Sequence, residues 1–155
     1  MCLRIVILFT LVALTGCNQL NIIQPDKNLP DLVATQQRAD AAYRNEDWKA
    51  AEKDYVYLAK NTPGEVEPWF RLGNIYARTN QLDAAVATYR EALVRDPKNS
   101  KIWHNLGIVQ LRQATNTFIE MLQYTDENDP LNQRAKHVVN AVSDLMATGF
   151  EATNE

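Results

Sequence analysis

The apolar residues of this chain fall into two patterns, one continuous and one periodic. Ile5 to Leu14 form a run of ten residues in which only Thr10 is polar. Further along, apolar side chains recur every three or four residues, as in Trp69, Leu72 and Tyr76, which is the spacing of one face of an α-helix. The periodic pattern predicts that most of the chain after residue 30 is helical.

The continuous run stands at the N-terminus behind Arg4 and predicts a secretory signal. A helix of that length rises about 15 Å, roughly half the thickness of the hydrocarbon core of a bilayer, so it is too short for a permanent transmembrane span. The next residues, Leu14-Thr15-Gly16-Cys17, resemble the lipobox of bacterial lipoproteins. The resemblance implies that residues 1–16 are removed and that Cys17 is lipidated; the alternative is an uncleaved anchor with an incidental cysteine. Because Asn18 follows rather than an aspartate, the resemblance also implies the outer membrane, with the protein facing the periplasm.

The residues that follow the signal change character. Residues 17–30 are mostly polar, contain Pro25 and Pro30 and show no sustained hydrophobic period, which is typical of a tether. We therefore expect four segments: a signal peptide at 1–16, a lipidated tether at 17–30, a folded domain at 31–148 and a C-terminal tail at 149–155.

The folded domain contains an internal repeat with a period of about 34 residues. The separation of Trp69 and Trp103 defines the repeat offset. Five further pairs of identical residues have the same offset: Leu72 and Leu106, Gly73 and Gly107, Ala51 and Ala85, Tyr55 and Tyr89, and Pro63 and Pro97. Six matches at one offset indicate successive copies of one structural unit.

Residues 66–99 contain the clearest copy. Its positions run Trp69-x2-Leu72-Gly73-x2-Tyr76, then Ala85-x3-Tyr89, Ala92 and Pro97. This pattern resembles the tetratricopeptide repeat, a hairpin of two helices. The small residues Gly73 and Ala85 fit where the two helices cross closely, and Pro97 ends the second helix. Residues 32–65 form a more degenerate copy, with Ala39 at the glycine position.

The third copy keeps its first helix and then departs from the pattern. The expected positions of its second helix hold Ile119, Gln123 and Asp126. A better match begins 16 residues later, at Ala135, Val139 and Val142. We expect the first helix to lengthen through Met121 and Leu122, and Asp129-Pro130 to start the last helix as an N-cap followed by proline.

The resemblance implies an all-α fold: a short tetratricopeptide-type solenoid of about six helices, with two clear hairpins and a modified third that caps the stack. In this family the first helices of successive repeats line a concave groove that holds a segment of a partner protein. Transferred by spacing, the groove positions are Tyr43, Arg44, Phe70, Arg71, Asn74, Arg78, Lys101, His104, Asn105 and Arg112.

Among the predicted groove residues, the three arginines and the two asparagines can each be interpreted in two ways. Arg44, Arg78 and Arg112 are separated by the repeat offset and predict a ladder along one edge of the stack. An arginine near a helix end is also stabilised by the helix dipole, by about 0.3–1 kcal/mol, which alone explains the spacing. Asn74 and Asn105 match asparagines that hold the ligand backbone in peptide-binding relatives, but they are equally interpreted as solvated side chains.

Composition and residue spacing disfavour several other classes of function. The chain has 16 basic and 19 acidic side chains, a net charge of −3, which disfavours nucleic acid as a partner. No cysteine follows Cys17, and His104 and His137 stand in no metal-ligand spacing. Ser100 is interpreted as a helix cap. We therefore expect neither an enzyme nor a bound cofactor or metal.

These observations predict an adaptor for protein–protein interaction, anchored by lipid to the outer membrane. Proteins of similar architecture assist the assembly of pili and secretion channels, and others dock peptidoglycan hydrolases or other cell-wall enzymes. The sequence leaves both pathways open. The exposed ends of a short array are also compatible with a homodimer.

Overall fold

The computed structural model describes residues 29–147 of the chain. The predicted signal peptide, the lipidation of Cys17, the tether up to residue 28 and the C-terminal tail lie outside the described residues and stay predictions. Between residues 29 and 147 the chain forms helices and no strand, which confirms the all-α fold. The helices are α1 (Leu29–Arg44), α2 (Trp48–Asn61), α3 (Val66–Arg78), α4 (Leu82–Arg95), α5 (Ser100–Leu122) and α6 (Pro130–Ala147).

The helices pack as three consecutive hairpins, α1 with α2, α3 with α4 and α5 with α6. Each hairpin contacts the next through α2 and α3 or through α4 and α5, and the first helices α3 and α5 also touch. This is the nearest-neighbour packing of a solenoid, in which each repeat buries its apolar face against the adjacent one.

The core lies within and between these hairpins, in two groups of buried side chains. One group joins the first hairpin to α3 and includes Tyr55 and Ile75, both fully buried. The other joins α3, α4 and α5 and includes Tyr89. Trp69 and Tyr76 pack against both groups, so the second hairpin connects the two halves of the core.

The turns inside the first two hairpins have the same geometry. Glu46 and Asn80, which occupy the same position of successive repeats, both have a φ of 59°. In each turn the next residue donates its backbone N–H to a carbonyl five residues back, Asp47 to Ala42 at 2.9 Å and Gln81 to Tyr76 at 2.8 Å. Asparagine tolerates the left-handed region better than glutamate, so the same turn is more strained in the first hairpin.

The third hairpin is lengthened as predicted. Helix α5 runs without interruption to Leu122, and α6 begins at Pro130, where the Asp129 carboxylate accepts the backbone N–H of Leu131 at 2.8 Å. One detail of the prediction is wrong: Asn99 caps α5 by accepting the N–H of Ile102 at 3.3 Å, and Ser100 is the first helical residue. No helix between residues 29 and 147 has the length and apolar character needed to cross a membrane.

Candidate protein-binding groove

The ten predicted groove residues lie on the three first helices, at different depths. Tyr43 and Arg44 end α1, the next four belong to α3 and the last four to α5. Buried side chains are Tyr43, Phe70, Asn74 and Asn105; half-buried ones are Arg71, His104 and Arg112; exposed ones are Arg44, Arg78 and Lys101. The surface available to a partner is therefore formed mainly by basic side chains.

Asn74 and Asn105 lie beneath this surface and bind each other. The Asn105 Nδ2 donates to Asn74 Oδ1 at 2.9 Å, and the hydroxyl of Tyr89 donates to the same oxygen at 2.7 Å. Both asparagines are buried, with 2% and 0% of their surface exposed. The three residues thus connect α3, α4 and α5, which excludes the interpretation of the asparagines as solvated side chains. The Asn74 Nδ2 is buried without a hydrogen-bond partner among the described residues.

Phe70 also lies below the surface. Its side chain is 6% exposed and belongs to the core, where its ring centroid is 6.3 Å from that of Tyr89. The spacing that assigned Phe70 to the groove gives only its place along α3. In the folded second hairpin, the side chain at this place packs against α4 and α5. The ring supports the groove from below and is not part of its accessible surface.

The three arginines of the predicted ladder have different surroundings. Arg112 donates to the carbonyl of Ala77 at 2.8 Å and to Asn80 Oδ1 at 3.2 Å, and so binds the C-terminal end of α3. The Arg78 guanidinium lies 5.3 Å from the centre of the Trp48 ring, and Arg44 is exposed. Arg112 therefore does interact with a helix end, although the helix is α3 and not its own.

Arg71 is held over the first repeat. Its guanidinium lies 4.8 Å from the centre of the Tyr43 ring, and its Nε donates to Glu67 Oε1 at 2.7 Å, one helical turn earlier. The Tyr43 ring in turn packs edge-on against Trp48, with centroids 5.4 Å apart. The packed aromatic rings therefore hold the Arg71 guanidinium in place between the first and second repeats.

A repeated hydrogen bond between the two helices of a hairpin was not predicted from the sequence. In the first hairpin the Tyr55 hydroxyl donates to Asp40 Oδ1 at 2.6 Å, and in the second the Tyr89 hydroxyl donates to Asn74. Both partners obey the repeat offset, so the offset could have revealed the pair. Burial and the hydrogen bond to Asp40 raise the pKa of Tyr55, and burial raises the pKa of Tyr89.

Three stacked helical hairpins with a basic surface along their first helices define a helical-repeat scaffold. Two family models described as tetratricopeptide repeat match residues 37–100 and 88–123, which together span more than half of the chain. The chain therefore contains tetratricopeptide repeats across residues 37–123.

Two curated proteins illustrate the likeness. The chain is 27% identical over 114 residues to the general transcriptional corepressor ssn6 of Schizosaccharomyces pombe, covering 69% of this chain and 10% of the corepressor. It is 30% identical over 88 residues to tetratricopeptide repeat protein 37 of Xenopus laevis, covering 56% of this chain and 6% of that protein. The chain spans a tenth or less of these relatives, so the likeness concerns the repeats.

The family and the side chains point to a scaffold type of protein. Among residues 29–147 no group of three or more His, Cys, Asp or Glu side chains is placed to hold a metal ion. The accessible side chains among the predicted groove residues are mainly hydrogen-bond donors and cations, which suits the binding of another chain.

Proposed function

We propose that this protein is a membrane-tethered adaptor that binds an acidic segment of a partner protein along α1, α3 and α5. The proposal rests on the positive charge of the surface along these three helices. Its basic side chains are Arg44, Arg71, Arg78, Lys101 and Arg112, in a chain whose net charge is −3. Near these cations, Asp40 accepts a hydrogen bond from Tyr55, and Glu67 forms an ion pair with Arg71, so positive charge remains in excess.

An acidic occupant fits these groups for two physical reasons. Guanidinium groups bind carboxylates in charge-assisted hydrogen bonds, which are about twice as strong as neutral ones. A net positive surface also steers an acidic segment towards it and raises the rate of association. Arg44 and Arg78 have the exposure that such binding requires, whereas Arg112 already binds the end of α3.

The binding proposal is tested by charge reversal with a matched control. Arg44→Glu combined with Arg78→Glu changes the exposed groove cations. Lys49→Glu combined with Arg134→Glu makes the same change in charge on exposed residues of α2 and α6. Chemical crosslinking in intact cell envelopes, followed by affinity purification and mass spectrometry, identifies the bound proteins. We expect the groove variant to lose a partner that the parent chain and the control variant retain. Equal recovery from both variants would overturn the groove as the binding site.

The tether is a separate part of the proposal and has its own test. We propose that Cys17 is lipidated and anchors the repeats to the outer membrane on its periplasmic side, where several acyl chains give durable attachment. Metabolic labelling with radioactive palmitate should mark the parent chain and leave a Cys17→Ser variant unlabelled. Label retained in the variant would exclude Cys17 as the site of lipidation.

The lipobox, tether and repeats together support a role in assembling an envelope structure, with pilus or secretion-channel assembly as our working proposal. Deletion should then reduce surface appendages or multimers of the outer-membrane channel. An unchanged level of both, together with an altered profile of peptidoglycan fragments, would instead favour the adaptor of a cell-wall enzyme.

A further inference from the structure

Two glycines at the same position of successive repeats have opposite surroundings. Gly73 is buried, and a Cβ atom built on it would lie 2.5 Å from Cδ1 and Cε1 of Tyr89 on α4. At Gly107, one repeat later, no described atom lies within 4 Å of such a Cβ. In repeat two this position is covered by α4, the second helix of the hairpin. In repeat three no second helix covers α5 at Gly107. Helix α6 follows the lengthened end of α5, and its buried residues are Asn132 and Ala135, both near its start.

The tryptophans beside these glycines differ in the same way. Trp69 is half-buried, and the Arg95 guanidinium lies 4.3 Å from the centre of its ring. Trp103 is 55% exposed, although its Nε1 donates to the carbonyl of Pro97 at 2.9 Å and fixes the ring. An exposed tryptophan held in position beside an open glycine is a preformed apolar surface, which typically marks an interaction site.

The open surface is extended and uncharged at its centre. A depression of about 470 Å³ is lined by Trp103, His104, Gly107, Ile108, Gln110 and Leu111. A second depression of about 430 Å³ shares Trp103 and Gln110 with it and continues onto α4, where its rim holds Arg90 and Val94, the latter 76% exposed. The lining around Gly107 contains no Asp, Glu, Lys or Arg side chain.

We propose that this surface binds a second copy of the chain, with the two α5 helices crossing antiparallel at Gly107. Trp103 lies four residues before the glycine and Leu111 four residues after it, so all three share one helix face. A two-fold axis at the crossing point places Trp103 of each copy against Leu111 of the other. The missing side chain of Gly107 lets the two helices approach closely at that point.

The absence of charge around Gly107 favours a second copy over an unlike, charged partner. In a symmetric dimer the centre of the surface meets itself, so a charged group there would face its own like charge. An uncharged lining avoids this repulsion, whereas it offers nothing to complement an acidic or basic partner. The dimer surface and the basic groove share α5, and His104 belongs to both. The exposed groove arginines, Arg44 and Arg78, lie on α1 and α3, so charge reversal there tests the groove separately from the dimer contact.

The geometry is tested by a cysteine at the proposed axis. The native cysteines are Cys2 and Cys17, so the parent chain measures any background of disulfide dimers. Gly107→Cys should form a disulfide dimer on mild oxidation of intact envelopes, because two cysteines link when their Cα atoms lie about 4.4–6.8 Å apart. Gly64→Cys is the matched control, since Gly64 is exposed and likewise has no described atom within 4 Å of its Cβ position. We expect at least tenfold more dimer from Gly107→Cys.

A second variant tests the surface without a new cysteine. Trp103→Glu places a charge against the apolar Leu111 of the other copy. We expect it to raise the dissociation constant of the dimer at least tenfold, measured by sedimentation of the detergent-solubilised full chain. Circular dichroism should show the same helix content as the parent chain. The same mass distribution for parent and variant, or a Gly107→Cys signal no stronger than that of Gly64→Cys, would overturn the proposal. Crosslinking of Gly107→Cys to a different protein would do so as well.

Discussion

The Tyr89 ring lies directly over Gly73, at the point where the two helices of the second hairpin cross. Because Tyr89 is fully buried, it has no room to move away from an added methyl group. We expect Gly73→Ala to lower the free energy of unfolding by about 1–3 kcal/mol, the usual cost of overpacking a core. Denaturant unfolding followed by circular dichroism measures the effect.

Gly107→Ala is the matched comparison for this prediction. The same change at the same repeat position meets open space, and alanine is a better helix former than glycine by about 0.5–1 kcal/mol. At low protein concentration, where association contributes least, the variant should be as stable as the parent chain or more stable. A similar loss at both glycines would contradict the packing described for α5.

Asn74 accepts two hydrogen bonds from buried donors, so its loss should be costly. Asn74→Ala leaves the Tyr89 hydroxyl and the Asn105 amide without their shared acceptor. An unsatisfied buried donor costs about 1–3 kcal/mol, and we expect a total loss of at least about 2 kcal/mol of unfolding free energy by urea denaturation. Asn116→Ala, at an exposed position of α5, serves as the control and should change stability little. Equal effects of the two substitutions would show that the buried network contributes no stability.

The turn at Glu46 offers a stabilising substitution. A non-glycine residue in the left-handed region costs about 1–2 kcal/mol, and asparagine reduces this cost through local hydrogen bonds. Glu46→Asn copies the equivalent turn at Asn80 and should raise the midpoint of thermal unfolding by a few degrees. The reverse change, Asn80→Glu, should lower it; it also replaces the amide oxygen that accepts from Arg112 with a carboxylate on a longer side chain. A shift of the same sign in both variants would refute the assignment of strain.

The buried tyrosines predict a loss of stability in alkali. Burial and Asp40 raise the pKa of Tyr55 above the ordinary tyrosine value of 10.0. The folded chain therefore holds the phenolic proton more tightly than the unfolded chain. This stability is fully present below pH 10.0 and is lost as the pH rises towards the folded-state pKa, by about 1.4 kcal/mol per pH unit for each tyrosine.

Unfolding in urea between pH 8 and pH 11.5 measures this effect. Tyr55→Phe should be less stable than the parent chain at pH 8, by about 1.5–3 kcal/mol for a hydrogen bond to a charged group, and the difference should shrink above pH 10. Tyr124→Phe changes a side chain that is 86% exposed and should match the parent chain throughout. If the difference in unfolding free energy between Tyr55→Phe and the parent chain stayed constant across this range, the raised pKa of Tyr55 would not explain a loss of stability in alkali.

Spacing along the chain predicted most of the fold, because each hairpin of a solenoid contacts only its neighbours. The repeat offset located both clear hairpins and the crossing glycine at Gly73. The displaced match at Ala135 predicted the lengthened α5, and the Asp129-Pro130 pair predicted the start of α6. These features depend on local helix propensity and on a period, both of which are properties of the sequence alone.

Tertiary structure alone decided which of the predicted groove residues reach the surface. Phe70, Asn74 and Asn105 share helices with Arg71, Arg78 and Lys101. The packing of α4 and α5 buries the first three and leaves the three basic side chains accessible. The partners of Arg112 also come from another hairpin. Gly73 and Gly107 show the distinction most directly. The two glycines occupy the same repeat position, yet Gly73 is covered by Tyr89 and Gly107 is uncovered. The difference arises because the placement of the following helix determines which side chains lie over the glycine.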